Sequence, residues 1–503
     1  MKWFLACVAA GAASACGFAP LNLWPLTLIG VAFLLWAIEE APGLRSALLR
    51  GWGFGLGQFV LGLNWIATAF TYQSNMPAWL GWIAVVLLSL YLAVYPAAAA
   101  GLAWRWNGGD RLRLVLVFAA AWIVTEYLRA VMFTGFPWNP LGVSLLLTPA
   151  SLFAALFGTY GLSGLAALIA GALYLLARRG WKDGGGLAVA AAALVGIAWI
   201  ATSAPAGEAG PAVRIVQPNV DQATKHDEGY GPQLRRFRES AVNTTGEPRL
   251  LLWPEDGVPF LLDEDPLAAR MIGNWLGEGD LLLTGGFKIE RDSAGRPLGA
   301  RNAAWVIDPE GRLLGRYDKA HLVPYGEYLP MRSLLEPIGL SRLVPGSLDT
   351  WEGPGPRTLD LPRFGRVGLQ ICYEIVFSGQ VVEDGNRPDF IFNPSNDAWF
   401  GRWGPPQHFA QARLRALEEG LPVLRSTPTG ISGVIDARGR VLASLPWQEL
   451  GVIDTRLPPA APPTLFARAG NWMPFVFALL LVVTAGALAA LQSRSKRASE
   501  PRT

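Results

Sequence analysis

Apolar residues follow two different rhythms along this chain. Over the first 203 residues they run in long stretches, at about 3–18, 23–40, 51–70, 78–104, 112–130, 150–177 and 187–203, and another follows at about 472–491. A helix that crosses the hydrocarbon needs about 20 apolar residues. The pattern therefore predicts a membrane domain of seven transmembrane helices over 1–203 and an eighth, C-terminal transmembrane helix over 472–491. Charge within these stretches is absent or near an end, as with Glu126 and Arg129 in the fifth. Their spacing of three also fits a simple pair on one helix. From 211 to 456 the rhythm shortens to β-like runs at 213–216, 250–253, 281–284, 303–307, 367–371, 390–392, 423–425 and 433–435. Helical stretches such as 232–240 and 407–419 lie between them. Alternating strands and helices predict an α/β domain. Linker-like sequences flank it at 203–207 and 458–463, and the second, proline-rich one should be stiff.

Charge orients the frame. Arg45 and Arg50 lie between the second and third stretches, Arg105, Arg111 and Arg113 between the fourth and fifth, and Arg178, Arg179 and Lys182 between the sixth and seventh. Arg494, Lys496, Arg497 and Arg502 follow the eighth, whereas the alternate connections, 19–22, 71–77 and 131–148, carry no basic residue. The excess of Lys and Arg in cytoplasmic loops then predicts that both termini are cytoplasmic and that 204–471 lies outside the cytoplasm. Met1-Lys2 and the apolar run to Ala13-Ser14-Ala15-Cys16 also have the make-up of a secretory or lipoprotein signal peptide. Apolar character resumes soon after Phe18-Ala19-Pro20, which suits a helical hairpin better.

Composition agrees with a membrane protein. Of 503 residues, 51% are hydrophobic and 16% charged, against about 25% charged in an average soluble protein. The net charge of +3 is small and its basic residues are scattered, which gives no basis for nucleic-acid binding. Cys7, Cys16 and Cys372 suggest no disulfide framework. His226, His321 and His408 are too few and too dispersed for a zinc site. No metal or cofactor is implied.

The candidate chemistry lies in the polar half. Cys372 ends the apolar run Val367-Gly368-Leu369-Gln370-Ile371. A thiol at the open end of a strand is a candidate nucleophile if a base or cation is near, and a buried cysteine is also simply a small hydrophobe. Glu255 follows Leu250-Leu251-Leu252-Trp253-Pro254, and a partly desolvated carboxylate there is strengthened as a base. By itself it fits a solvated loop carboxylate better than a base. Lys319, in Tyr317-Asp318-Lys319-Ala320-His321, supplies an ammonium for an oxyanion, and Glu327 is placed to hold it.

Together these segments resemble the carbon–nitrogen hydrolase (nitrilase) superfamily over 211–456, including Asn393-Pro394-Ser395-Asn396-Asp397-Ala398-Trp399-Phe400-Gly401 and Gln407-His408. With the membrane frame, Gln217-Pro218-Asn219-Val220, Tyr325-Gly326-Glu327, Cys372-Tyr373-Glu374 and Phe133-Thr134-Gly135-Phe136-Pro137-Trp138-Asn139, the whole chain resembles the apolipoprotein N-acyltransferases. That family adds the third acyl chain to bacterial lipoproteins. The resemblance implies a nitrilase-like αββα sandwich with Glu255 as base, Lys319 as oxyanion stabiliser and Cys372 as nucleophile. Glu327, Tyr373, Glu374 and Trp399 are the supporting or substrate-binding positions. In the segment Thr224-Lys225-His226-Asp227-Glu228 this chain has His226 where many relatives have tryptophan.

The implied reaction is ping-pong acyl transfer through a cysteine thioester, from a phospholipid donor to a diacylglyceryl apolipoprotein acceptor, in the bacterial inner membrane with the catalytic domain periplasmic. Nothing requires more than a monomer. Apolar loops at 260–262 and 340–344 are candidates to dip toward the bilayer, and the 133–139 loop to line a cavity floor; ordinary packing is the alternative for each. A membrane-tethered amidase would use the same three residues, but one anchor would suffice for it. A non-catalytic sensor or transporter would have no need of all three residues, and transporters carry polar, broken helices at mid-membrane, of which these Ala/Leu/Val-rich stretches show few features.

Overall fold

In the computed structural model of the protein the described residues are 1–72, 77–202, 207–220, 229–338 and 348–499. The expected contributions of 340–344 and His226 lie outside them. The chain forms two compact units, Met1–Asn64 with Trp82–Ser203 and Pro463–Thr503, and Trp65–Gly81 with Ala204–Pro462.

The first unit is helical. Among the described residues, five stretches are long and apolar enough to cross a membrane: Leu80–Trp106, Arg111–Val131, Pro149–Ala177, Trp181–Ala201 and Trp472–Ser493. The apolar helices Lys2–Ala15 and Trp24–Glu39 are shorter. Glycines bring the first of these against the helix Leu44–Gly62: a Cβ on Gly11 would stand 1.9 Å from the Phe54 carbonyl oxygen, and one on Gly57 2.0 Å from that of Val8. Backbones meet this closely only where side chains are absent.

The third helix differs from its expected span of 51–70. It begins at Leu44 and takes in both Arg45 and Arg50. Arg50 is not a loop residue: it is buried, donates from Nη1 to the Ala37 carbonyl and lies 4.6 Å from the Trp3 ring. Residues Ile66–Ala69 form a separate short helix in the second unit, where Trp65 packs edge-on to Phe400 at 4.8 Å. Nor are Glu126 and Arg129 a simple pair. Arg129 donates to the carbonyls of Phe136 (2.9 Å) and Trp138 (2.8 Å), and Glu126 Oε1 accepts from the Leu141 N–H (2.8 Å) and Trp122 Nε1 (3.2 Å). Their mutual approach is 3.8 Å.

The second unit contains two six-stranded sheets. One comprises β1 (Ala212–Gln217), β2 (Arg249–Leu252), β3 (Leu281–Arg291), β4 (Pro297–Ile307), β5 (Leu313–Asp318) and, from the end of the domain, β12 (Gly451–Arg456), in the order β12-β1-β2-β3-β4-β5. The other comprises β6 (Thr358–Leu361), β7 (Gly365–Leu369), β8 (Phe390–Pro394), β9 (Val423–Ser426), β10 (Ser432–Ile435) and β11 (Val441–Leu445), in the order β11-β10-β9-β8-β7-β6. Helices Gly231–Ala241 and Pro266–Gly273 cover the first sheet, with Phe237 stacked on Trp253 at 4.1 Å over a core of Leu251, Ile272 and Leu282. Helix Gly404–Glu419 packs against β9. The sheets meet where Ser426 Oγ donates to the Val216 carbonyl at 2.8 Å. This is the expected αββα arrangement. Leu262 is buried in the core and Phe260 packs against it, so 260–262 is a core segment and not a membrane-seeking loop.

Candidate active site

Three chain segments supply the site, and each is positioned by backbone. The first leaves β2 through Trp253, fully buried on Phe237, and Pro254. Gly285 on β3 donates to the Pro254 carbonyl at 3.1 Å. A Cβ on Gly285 would stand 2.7 Å from Glu255 Cα, so the strand can carry Glu255 this closely only with glycine there. Glu255 Oε1 accepts from Asn302 Nδ2 at 2.7 Å and from Lys319 Nζ at 3.4 Å. Among the described residues, Oε2 takes no hydrogen bond.

The second segment extends β5. The Lys319 N–H donates to the Asn302 carbonyl at 2.8 Å, which prolongs the pairing with β4. Its side chain is buried, and Nζ lies 3.0 Å from Glu327 Oε1. Glu327 Oε2 in turn accepts from the Val323 N–H at 2.8 Å, and Asn302 Nδ2 reaches Glu327 Oε1 at 3.1 Å. Burial alone would discharge Lys319, but Glu327, then Glu255, hold its ammonium above the ordinary range. Two of its three N–H groups meet carboxylates; among the described residues the third meets no acceptor.

The third segment leaves β7 and turns at Cys372 into a short 3₁₀ helix, Cys372–Val376. Cys372 has φ +51°, left-handed and uncommon for a residue with a side chain. Such strain costs about 1–3 kcal/mol and collects at functional sites. The thiol is not at an open edge: β7 is an inner strand and Cys372 is 4% exposed. Burial pushes its pKa well up and Glu255 pushes it further, while Lys319 and a hydrogen bond from the Asn396 N–H pull back. The resting sulfur therefore keeps its proton and needs a base.

Glu374 ties the second segment to the third. Oε1 accepts from Tyr317 Oη (2.8 Å) and the N–H groups of Ala320 (2.6 Å) and His321 (3.0 Å), and Oε2 from the Ile371 N–H (2.6 Å). Burial raises its pKa to about 7, against the opposing pull of Lys319. Tyr373 is buried edge-on to Phe377 at 5.2 Å. The Trp399 ring lies 5.6 Å from that of Tyr72.

Sequence reasoning passed over a second buried network behind the cysteine. His408 Nε2 lies 3.0 Å from the Cys372 carbonyl oxygen and Nδ1 2.9 Å from Asp397 Oδ1. Arg425 binds both Asp397 oxygens through Nη2 at 2.7 and 2.8 Å and reaches Ser395 Oγ at 2.9 Å. Asn302, Asp397 and Arg425 each offered one signal, a polar group in or beside an apolar strand run.

Two family models match the chain: the apolipoprotein N-acyltransferase N-terminal domain over residues 10–172 and carbon-nitrogen hydrolase over residues 250–461. An apolipoprotein N-acyltransferase of Brucella melitensis is 37% identical over 509 residues, covering 95% of this chain and 93% of that protein. One of Bradyrhizobium diazoefficiens is 37% identical over 523 residues, covering 99% and 96%. One of Allorhizobium ampelinum is 36% identical over 469 residues, covering 89% and 88%.

Proposed function

The chain belongs to the apolipoprotein N-acyltransferase family, and from that premise we propose that it moves an acyl chain from a phospholipid to the α-amine of a diacylglyceryl-cysteine at the N-terminus of an apolipoprotein. Glu255, Lys319 and Cys372 carry the chemistry. The observation that carries this reading is a buried lysine held between Glu255 and Glu327, within electrostatic range of Cys372, whose backbone is held in the left-handed region.

Glu255 Oε2 accepts the thiol proton as the sulfur attacks the donor ester carbonyl. Lys319 and the Tyr373 N–H stabilise the tetrahedral oxyanion, one such donor being worth about 10²–10³ in rate. The carbonyl re-forms, the C–O bond breaks, and Glu255 returns the proton to the departing lysophospholipid oxygen. A thioester on Cys372 remains. The acceptor amine attacks it, Glu255 takes a proton from nitrogen, the C–S bond breaks, and the sulfur is reprotonated. The product amide is more stable than the thioester. Glu327 holds Lys319 in place, Glu374 holds the lysine and cysteine segments together, and Tyr373 and Trp399 serve the bound lipids.

The enzyme acts as a single chain in the bacterial inner membrane with its catalytic domain on the periplasmic side and both termini cytoplasmic. Supporting this are the basic residues of two connections, Arg105, Arg111 and Arg113, and Arg178, Arg179 and Lys182. Tethering a catalytic domain whose substrates are both lipids raises their effective concentration.

The test is the full chain in phospholipid vesicles with a diacylglyceryl-cysteinyl peptide. N-acylated peptide and lysophospholipid in equal amounts are expected. Free fatty acid without N-acylated peptide would overturn transfer in favour of hydrolysis.

A further inference from the structure

The His408 network touches the nucleophile through its backbone. The Cys372 carbonyl can only accept a hydrogen bond, so the hydrogen in the 3.0 Å contact belongs to His408 Nε2. The imidazole is fully buried, and its Nδ1 lies 2.9 Å from Asp397 Oδ1 and 3.0 Å from Arg425 Nη2, of which it can hydrogen-bond one. Asn393 Nδ2 adds a longer contact to the same carbonyl at 3.4 Å. The Cys372–Tyr373 peptide is trans. In a trans peptide the C=O and the following N–H point in opposite directions within one plane. Whatever fixes the Cys372 oxygen therefore also fixes the direction of the Tyr373 N–H.

We infer that His408 is a positioning residue for the oxyanion donor: its bond to the Cys372 carbonyl sets the peptide plane that aims the Tyr373 N–H. The inference rests on the proposed acylation of Cys372. Arg425 and Asp397, both fully buried, keep the imidazole from turning. The arrangement also supports the left-handed Cys372 backbone, since rotating that plane would break the His408 bond. In an N–H donor of this kind, misdirection costs part of what outright removal costs.

Acylation needs an oxyanion donor, whereas alkylation of the same sulfur by iodoacetamide forms no oxyanion. The test compares the two rates on the full chain, reading the first by thioester formation from vesicle phospholipid and the second by mass. His408→Ala is expected to lower the acylation rate about 10–100-fold and to leave alkylation within about twofold. His408→Gln, which keeps a side-chain N–H donor, is expected to recover much of the loss. Wild-type acylation in His408→Ala would overturn the inference. So would a parallel fall in both rates, which marks a structural residue, with His408→Gln deciding the matter should His408→Ala not fold. A wild-type chain that alkylates at Cys372 yet forms no thioester would instead overturn the reading on which this inference rests.

Discussion

Glu126 and Arg129 in the helical unit and Glu255 and Lys319 in the catalytic unit are both carboxylate–cation pairs less than a tenth exposed. They differ in what holds them. Arg129 ends on the carbonyls of Phe136 and Trp138, and Glu126 takes the Leu141 N–H, so the charges close off backbone groups of a loop. Lys319 ends on two side-chain carboxylates, and the nearer, Glu327, is itself anchored by backbone. That leaves Glu255 Oε2 and one lysine N–H uncommitted among the described residues. Glu126 Oε2 is likewise without a partner among the described residues, so the contrast lies in the cation: Arg129 is spent on backbone carbonyls as scaffold, whereas Lys319 keeps an N–H open for chemistry.

Substitutions can break or sharpen this contrast. The largest effect is expected from Cys372→Ala, which should abolish N-acylation of a lipopeptide while leaving thermal unfolding near wild type. Glu255→Gln should lower turnover about 10²–10⁴-fold, the range of a lost general base. Lys319→Met should lower it about 10²–10³-fold. Glu255→Gln keeps an amide in place and should fold, whereas Lys319→Met strands the Glu255 and Glu327 carboxylates and should cost about 3–5 kcal/mol of stability, so its turnover is read per folded molecule. Arg129→Met should cost stability in the same way but spare the chemistry. It strands a buried carboxylate and two carbonyls, costing about 3–5 kcal/mol of stability in thermal unfolding, while turnover per folded molecule falls less than in Lys319→Met. Equal turnover losses in both would collapse the distinction.

The smallest expected effect is a pH dependence. Glu374 and Glu419 both have pKa values raised by burial to about 7, from 4.5 in the ordinary state. Between those values the folded protein holds protons that the unfolded chain has released. Stability from these groups is then full below about pH 4.5 and falls as pH rises toward 7. Each contributes a slope of at most about 1.4 kcal/mol per pH unit. Glu374→Gln should remove one of the two contributions, measurable as a flatter unfolding midpoint across this range.

The same contrast between filled and open valence explains what was legible in the sequence. All eight β-like runs fall on the inner strands of the two sheets, and the four strands passed over, β5, β6, β11 and β12, are their four edges. An inner strand is covered on both sides and reads as an apolar run, as Leu250-Leu251-Leu252 does. An edge strand such as Gly451-Val452-Ile453-Asp454-Thr455-Arg456 faces solvent along one side and reads as loop. Glu255 and Cys372 were visible because each follows such a run, whereas Lys319 follows the edge strand β5 and was legible only through the motif around it. Arg425 closes a run too, but it was not singled out because its partners Asp397 and His408 are 28 and 17 residues away. Arg50 misled for a related reason: a charge looks like a loop unless the fold supplies the Ala37 carbonyl and the Trp3 ring.

The central claim is that an acyl chain rests on Cys372 between donor and acceptor. Intact-protein mass spectrometry of the full chain, mixed with vesicles of a single phospholipid and no acceptor, tests it most directly. The account predicts one added acyl chain, mapped to Cys372 and discharged by a lipopeptide amine. A chain that forms N-acylated peptide while Cys372 never carries an acyl group would contradict it.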